Sequence, residues 1–140
     1  MKTSTKTRLS RSISLSQKEV FLRSDFDRLG TPSRITRGIQ EMVKEGKLVR
    51  IGYGIYSKTV PSAISGKPIP RKPLESLVME ALKAMEIKSE LGKAQKEYLS
   101  GTTTQIPMSL VVNIGDARFN RKIALGGREV IYERNLIGAK

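Results

Sequence analysis

The chain has 140 residues, 38% of them hydrophobic, which suits one domain or two small ones and argues against wholesale disorder. Its 26 basic and 13 acidic residues leave a net charge of +13, an excess that favours a polyanion: nucleic acid first, an anionic membrane second, with a merely soluble basic surface as the bland alternative. Cysteine and histidine are absent, which excludes a disulfide framework, thiolate and imidazole metal ligands, and imidazole bases.

The N-terminal stretch MKTSTKTRLSRSISLSQ is basic and Ser/Thr-rich, a composition shared with transit peptides. It has no continuous apolar core, so it is not read as a secretory signal. Leu9 and Ile13, one turn apart, predict a basic first helix. No stretch approaches the ~20 apolar residues of a membrane span. The expected location is the cytoplasm, with no membrane partner. "EVFL" (19–22) is a short strand candidate, and "SDFDRLG" reads as a short helix capped by Ser24, with Asp25 and Asp27 in its first turn and Gly30 at its end. Capping explains the two carboxylates better than catalysis, because no other acid joins them.

Residues 31–56, TPSRITRGIQEMVKEGKLVRIGYGIY, change character halfway. Thr31 is a good N-cap and Pro32 suits the first helical position. Ile35, Ile39, Met42 and Val43 then mark one buried face, which leaves Ser33, Arg37, Gln40, Glu41 and Lys44 opposite, flanked by Arg34 and Thr36. Gly46 stops the helix. "KLVRI", the Gly52-Tyr53-Gly54 turn and "IYSK" form a hairpin. Helix, short strand, short helix, longer helix, hairpin is the order of a winged helix-turn-helix. On that reading Ser33, Arg34, Thr36, Arg37, Gln40 and Lys44 of the recognition helix meet DNA bases, and Lys47, Arg50, Tyr53 and Lys58 of the wing meet the flanking backbone. The competing reading of Arg34, Arg37 and Lys44 is a solvated helix face. "GYGIYSK" lacks the setting and spacing of a nucleotide-binding loop.

Residues 59–73, TVPSAISGKPIPRKP, hold four of the six prolines and read as an extended linker. The expected organisation is a DNA-binding domain at 1–60, a Pro-rich linker at 61–73 and a C-terminal domain at 74–140. Residues 1–60 carry 13 basic and 5 acidic residues, net +8, and residues 61–140 carry 13 and 8, net +5, so the main polyanion contact belongs in the first half. Beyond Pro73, Leu74, Leu77, Val78, Ala81, Leu82 and Met85 form a helical stripe. Ser89 is expected to cap a further helix, "ELGKAQKEYLSG", with Ala94, Tyr98 and Leu99 inward. "MSLVVNIG" and "RKIALGGREVIYER" then read as strands, the latter a hairpin turning at Gly126-Gly127. The expected fold class is α+β: a winged helix-turn-helix followed by a small α+β domain of two helices and then strands. The acids are scattered and no catalytic constellation assembles, so neither an enzyme nor a cofactor is expected; a nuclease would need grouped carboxylates.

"SDFDRLGTPSRITRGIQEMVKEGKLVRIGYGIYSK" resembles the N-terminal winged helix of AbiEi-type antitoxins of type IV toxin-antitoxin systems. "LSGTTTQIPMSLVVNIG" with the "RKIALGGREVIYER" hairpin resembles the second domain of short AbiEi-like transcriptional regulators. The likeness covers about residues 10–134, and "EGKLVRIGYGIY" and "TTQIP" are its most specific parts. It implies a repressor that binds double-stranded DNA repeats in its own promoter and counters a nucleotidyltransferase-like toxin without a stable complex. The chain departs from the family in carrying Tyr53 where arginine is usual at the wing tip, and in being shorter than full AbiEi antitoxins. A homodimer would match a repeated site. Two alternatives stand beside this one: a plain mobile-element regulator without a toxin, and an RNA-binding protein using the same basic face. The latter has few stacking platforms, since 5% of residues are aromatic.

Overall fold

In the computed structural model, Thr5–Leu15 forms helix α1, with Leu9 and Ile13 buried one turn apart as the spacing predicts. The Ser4 hydroxyl starts it by accepting from Thr7 N at 3.1 Å. The structure describes residues 4–92, 96–97, 100–101, 104 and 110–135. The chain divides into two compact units, Met1–Pro73 and Leu74–Lys140. Three α-helices and two sheets among the described residues make the protein a mixed α+β fold, as expected. No helix among these residues is long and apolar enough to cross a membrane.

In the first unit, β1 (Val20–Leu22) leads into a 3-10 helix at Arg23–Phe26. Ser24 is not its cap. The helix begins one residue earlier, and Asp25 reaches back to accept from Leu22 N at 2.9 Å while pairing with Lys18 at 2.8 Å. Helix α2 (Pro32–Lys44) is followed by β2 (Leu48–Gly52) and β3 (Ile55–Pro61), antiparallel in the order β1-β3-β2. The core gathers Leu9, Ile13, Phe21, Phe26, Ile35, Ile39, Met42 and Leu48. Helix α1 packs on α2 at Gly38, where a Cβ would stand 2.5 Å from Leu9 Cδ1, so hydrogen at this position lets the helices close. Gly46 has φ +80°, the left-handed stop predicted after α2, and a Cβ there would also collide with Pro68 Cγ.

Pro68 enters this contact because residues 61–73 are not a free linker. Pro68–Pro70 forms β4, which pairs antiparallel with β3 (Thr59 with Pro70, Val60 with Ile69, Pro61 with Pro68), and Ser62 N donates to Lys67 O at 2.8 Å where the hairpin turns. Arg71 then forms a two-pronged ion pair with the buried Glu19 next to β1. The first compact unit therefore runs to Pro73 and the second begins at Leu74. The prolines suggested a linker, yet proline is compatible with an edge strand whose nitrogens face away from the ladder.

The second unit opens with α3 (Leu74–Ala84), burying Leu74, Leu77, Val78, Ala81 and Leu82. Glu90–Leu91 is a strand, β5, and not the start of a helix. The Ser89 hydroxyl donates to Met79 Sδ at 3.9 Å. Ala94, Tyr98, Leu99 and most of "TTTQIP" lie outside the described residues. Strands β6 (Leu110–Asn113), β7 (Ala124–Leu125) and β8 (Arg128–Glu133) complete a sheet in the order β5-β6-β8-β7. The Gly126-Gly127 hairpin forms as predicted, while β6 and β8 run parallel. Arg128 of β8 donates to Glu75 of α3 at 2.6 Å.

Tyr132, on β8, donates its hydroxyl to Arg121 O at 2.7 Å. Burial pushes its phenol from 10.0 up to about 12, with Arg134 opposing. Because the folded value is the higher one, its contribution to stability is complete below about pH 10 and is lost as pH rises towards 12. Thermal melts of Tyr132→Phe across this range should show a shallower alkaline loss than the native protein.

Candidate nucleic-acid interface

Thr31 starts α2 by accepting from Arg34 N at 3.3 Å, and Pro32 occupies the first turn. With Ile35, Gly38, Ile39 and Met42 buried, the rotation of the helix is fixed. At roughly 100° per residue, Ser33, Arg37, Gln40 and Lys44 then form a crest pointing away from the core. Arg34 and Glu41 lie on the flank towards α1, and Thr36 on the flank towards the β2–β3 hairpin. All six helix residues singled out from the sequence are exposed and lie on one continuous surface. Among the described residues, no ion pair involves Arg34, Arg37 or Lys44.

The hairpin adds two of its four expected residues to this surface. Tyr53 stands at the turn, 72% exposed. The Arg50 guanidinium lies 5.7 Å from its ring centroid and donates through Nε to Gly52 O at 3.2 Å. The register slips between Arg50 and Gly52, a bulge that increases local twist and re-aims side chains. Ile51 turns into the core there, while Arg50 faces α2 and shares a cavity of about 250 Å³ with Thr36 and Gln40.

Lys47 and Lys58 do not belong with them. Lys47 precedes β2, at the end remote from the turn, and pairs with Glu45 at 3.6 Å. Lys58 is half-buried opposite Leu48, again far from the turn. Its ammonium donates to Ser16 O at the C-terminal end of α1 and sits 6.0 Å from the Phe21 ring centroid. A cation there is stabilised by the unsatisfied carbonyls and dipole of the helix end, a structural use that strand position alone does not reveal.

Three residues were missed. Arg23 Nη2 donates to both Pro32 O and Thr36 Oγ1 at 2.9 Å, joining the end of β1 to the start of α2, and its Nη1 is buried without a partner among the described residues. It lines the same cavity as Arg50. In the sequence Arg23 falls between strand and helix signals, outside any periodic pattern, and only the fold brings it to Thr36. Arg8 and Arg28 join Arg34 and Arg37 along a groove of about 800 Å³ between α1 and α2. A sequence signal for these two existed only as the surplus of arginine in the first half.

No curated protein matches the sequence. A family model does match, over residues 8–136, and so takes in the interface, the β3–β4 hairpin and the sheet of the second unit. The chain belongs to that family, the Family of unknown function DUF6088.

Proposed function

We propose that residues 1–73 form a winged helix-turn-helix that binds double-stranded DNA sequence-specifically, and that the protein is a transcriptional regulator: an AbiEi-like antitoxin that represses its own operon. One observation carries the reading. The crest of α2 combines cations that form no ion pair among the described residues with short polar side chains, and it adjoins a hairpin tip where Arg50 is held against Tyr53. Such a crest suits base edges in a major groove, and such a tip suits the adjoining backbone. Residues 74–140 serve as a dimerisation or partner-contact module, and the nucleotidyltransferase-like toxin is countered without a stable complex. A reading frame for such a toxin beside this gene supports the antitoxin role; an isolated gene leaves a plain regulator.

The test is footprinting on the protein's own upstream DNA, followed by parallel titrations of operator and scrambled duplexes. Arg37→Ala should weaken operator binding and relax preference at one base pair, since a bidentate arginine–guanine contact is worth about 1–3 kcal/mol of discrimination. Arg50→Ala should weaken all duplexes about equally and lower the salt slope by roughly one. Both side chains are exposed, so both variants should keep the native melting profile. An equal loss on both duplexes for Arg37→Ala would make Arg37 a phosphate clamp and displace the reading position from the middle of the helix.

A further inference from the structure

Four arginines from three segments converge on the groove between α1 and α2: Arg8 on α1, Arg28 before Thr31, and Arg34 and Arg37 on α2. The side chains of Arg28, Arg34 and Arg37 bond to no described residue, and Arg8 makes a single long contact, 3.5 Å to Leu29 O. Glu41 is the one carboxylate in the lining, and Lys6, at 3.6 Å, already faces it. Lys6 is held still more closely by Glu45, whose carboxylate raises the ammonium above the ordinary lysine value. The groove is thus lined by four arginines, none of which forms an ion pair among the described residues, against the single carboxylate of Glu41, and such a cluster favours an anionic ligand.

The shape of the ligand follows from the shared residues. Arg34 and Arg37 belong both to the groove and to the exposed surface of α2, so an anion lying in the groove continues onto the crest. A chain of phosphates does this and a single phosphate does not. A helix about 10–12 Å across fills a major groove about 12 Å wide, so each flank of the helix abuts one of the two backbones. The hairpin flank has Arg50 and Arg23; the α1 flank has Arg8 and Arg28.

We propose that Arg8 and Arg28 grip the phosphodiester backbone of the DNA strand bordering α2 on its α1 side, so that the helix is held from both flanks. The inference rests on the DNA-binding reading above, and the experiment separates the two. Full-length protein and the Arg8→Ala/Arg28→Ala double variant are titrated with operator and scrambled duplexes over a range of salt. The double variant should lose affinity by the same factor on both duplexes, and its slope of log K against log salt should become shallower by about two. Phosphate-ethylation interference should lose its signals on one strand alone. If native protein binds and the variant keeps its affinity and slope, the α1-side grip is wrong while the DNA reading stands. If native protein binds no duplex, both fall. Arg28→Gln, which removes no bond to a described residue, should show half the slope change without any change in melting; a normal slope for it removes Arg28 from the site. Inorganic phosphate at constant ionic strength should not displace the duplex, and specific competition would assign the groove to a small anion instead.

Discussion

Raising monovalent salt from about 50 to about 200 mM should weaken DNA binding by roughly 10²–10⁴-fold. Each neutralised phosphate releases condensed counterions and contributes about −0.9 to the slope of log K against log salt, and roughly four to eight contacts are expected per bound unit. The cations proposed to supply them carry little internal compensation: Arg28, Arg34, Arg37 and Lys44 have no ion pair among the described residues of a unit whose residues 1–60 bear +8. Fluorescence titration of a labelled duplex at stepped salt measures the slope. A slope near zero would remove the electrostatic basis of the interface.

Leu9→Ala should lower the stability of the first unit by about 2–5 kcal/mol, the range for deleting a fully buried leucine side chain whose site collapses only partly. Leu9 is 0% exposed and its Cδ1 occupies the notch left by Gly38, so truncation opens a void at the crossing of α1 and α2. In a unit of this size about 1 kcal/mol moves the melting midpoint by roughly 4–8 °C, so the fall should be plain in a thermal scan. DNA binding should be lost with it above the new midpoint, since α2 keeps its orientation through this contact. Tyr132 of the second unit should keep its elevated phenol titration in the same variant. An unchanged melt would mean that α1 is dispensable to the placement of α2.

Where a local signal was strong, the sequence could be read directly. Thr31, Pro32, the Ile35/Ile39/Met42 stripe and Gly46 fix α2 by capping, periodicity and a left-handed stop, and the helix lies where these place it. The stripe of α3 and the Gly126-Gly127 hairpin succeeded for the same reason. Failures came where pairing partners lie far apart in the chain. Glu90 and Leu91 read as a helix start until Asn113 and Val112 pair with them. Residues 59–73 read as a linker because proline content hides a strand that β3 alone defines. The interface divided similarly. The crest followed from helical periodicity, whereas Lys58 was misplaced because its orientation depends on Ser16; Arg23 reaches Thr36, and Arg8 and Arg28 reach the groove of Arg34 and Arg37, only when β1, α1 and α2 meet.

The pairing of β4 has a consequence for solubility. In an antiparallel ladder bonded and non-bonded pairs alternate. The Ser62–Lys67 bond makes Val60–Ile69 the next bonded pair, so the nitrogens of Pro68 and Pro70 point away from β3. Those nitrogens carry no hydrogen. The outer margin of this strand therefore offers carbonyl acceptors and not one amide donor, although Ile69 between the prolines is 43% exposed and would otherwise mark a segment prone to recruiting another chain. A strand approaching from outside could satisfy none of its own carbonyls there. The two prolines that disguise the strand in the sequence are also what stop its sheet from growing by strand addition into an aggregate at that edge.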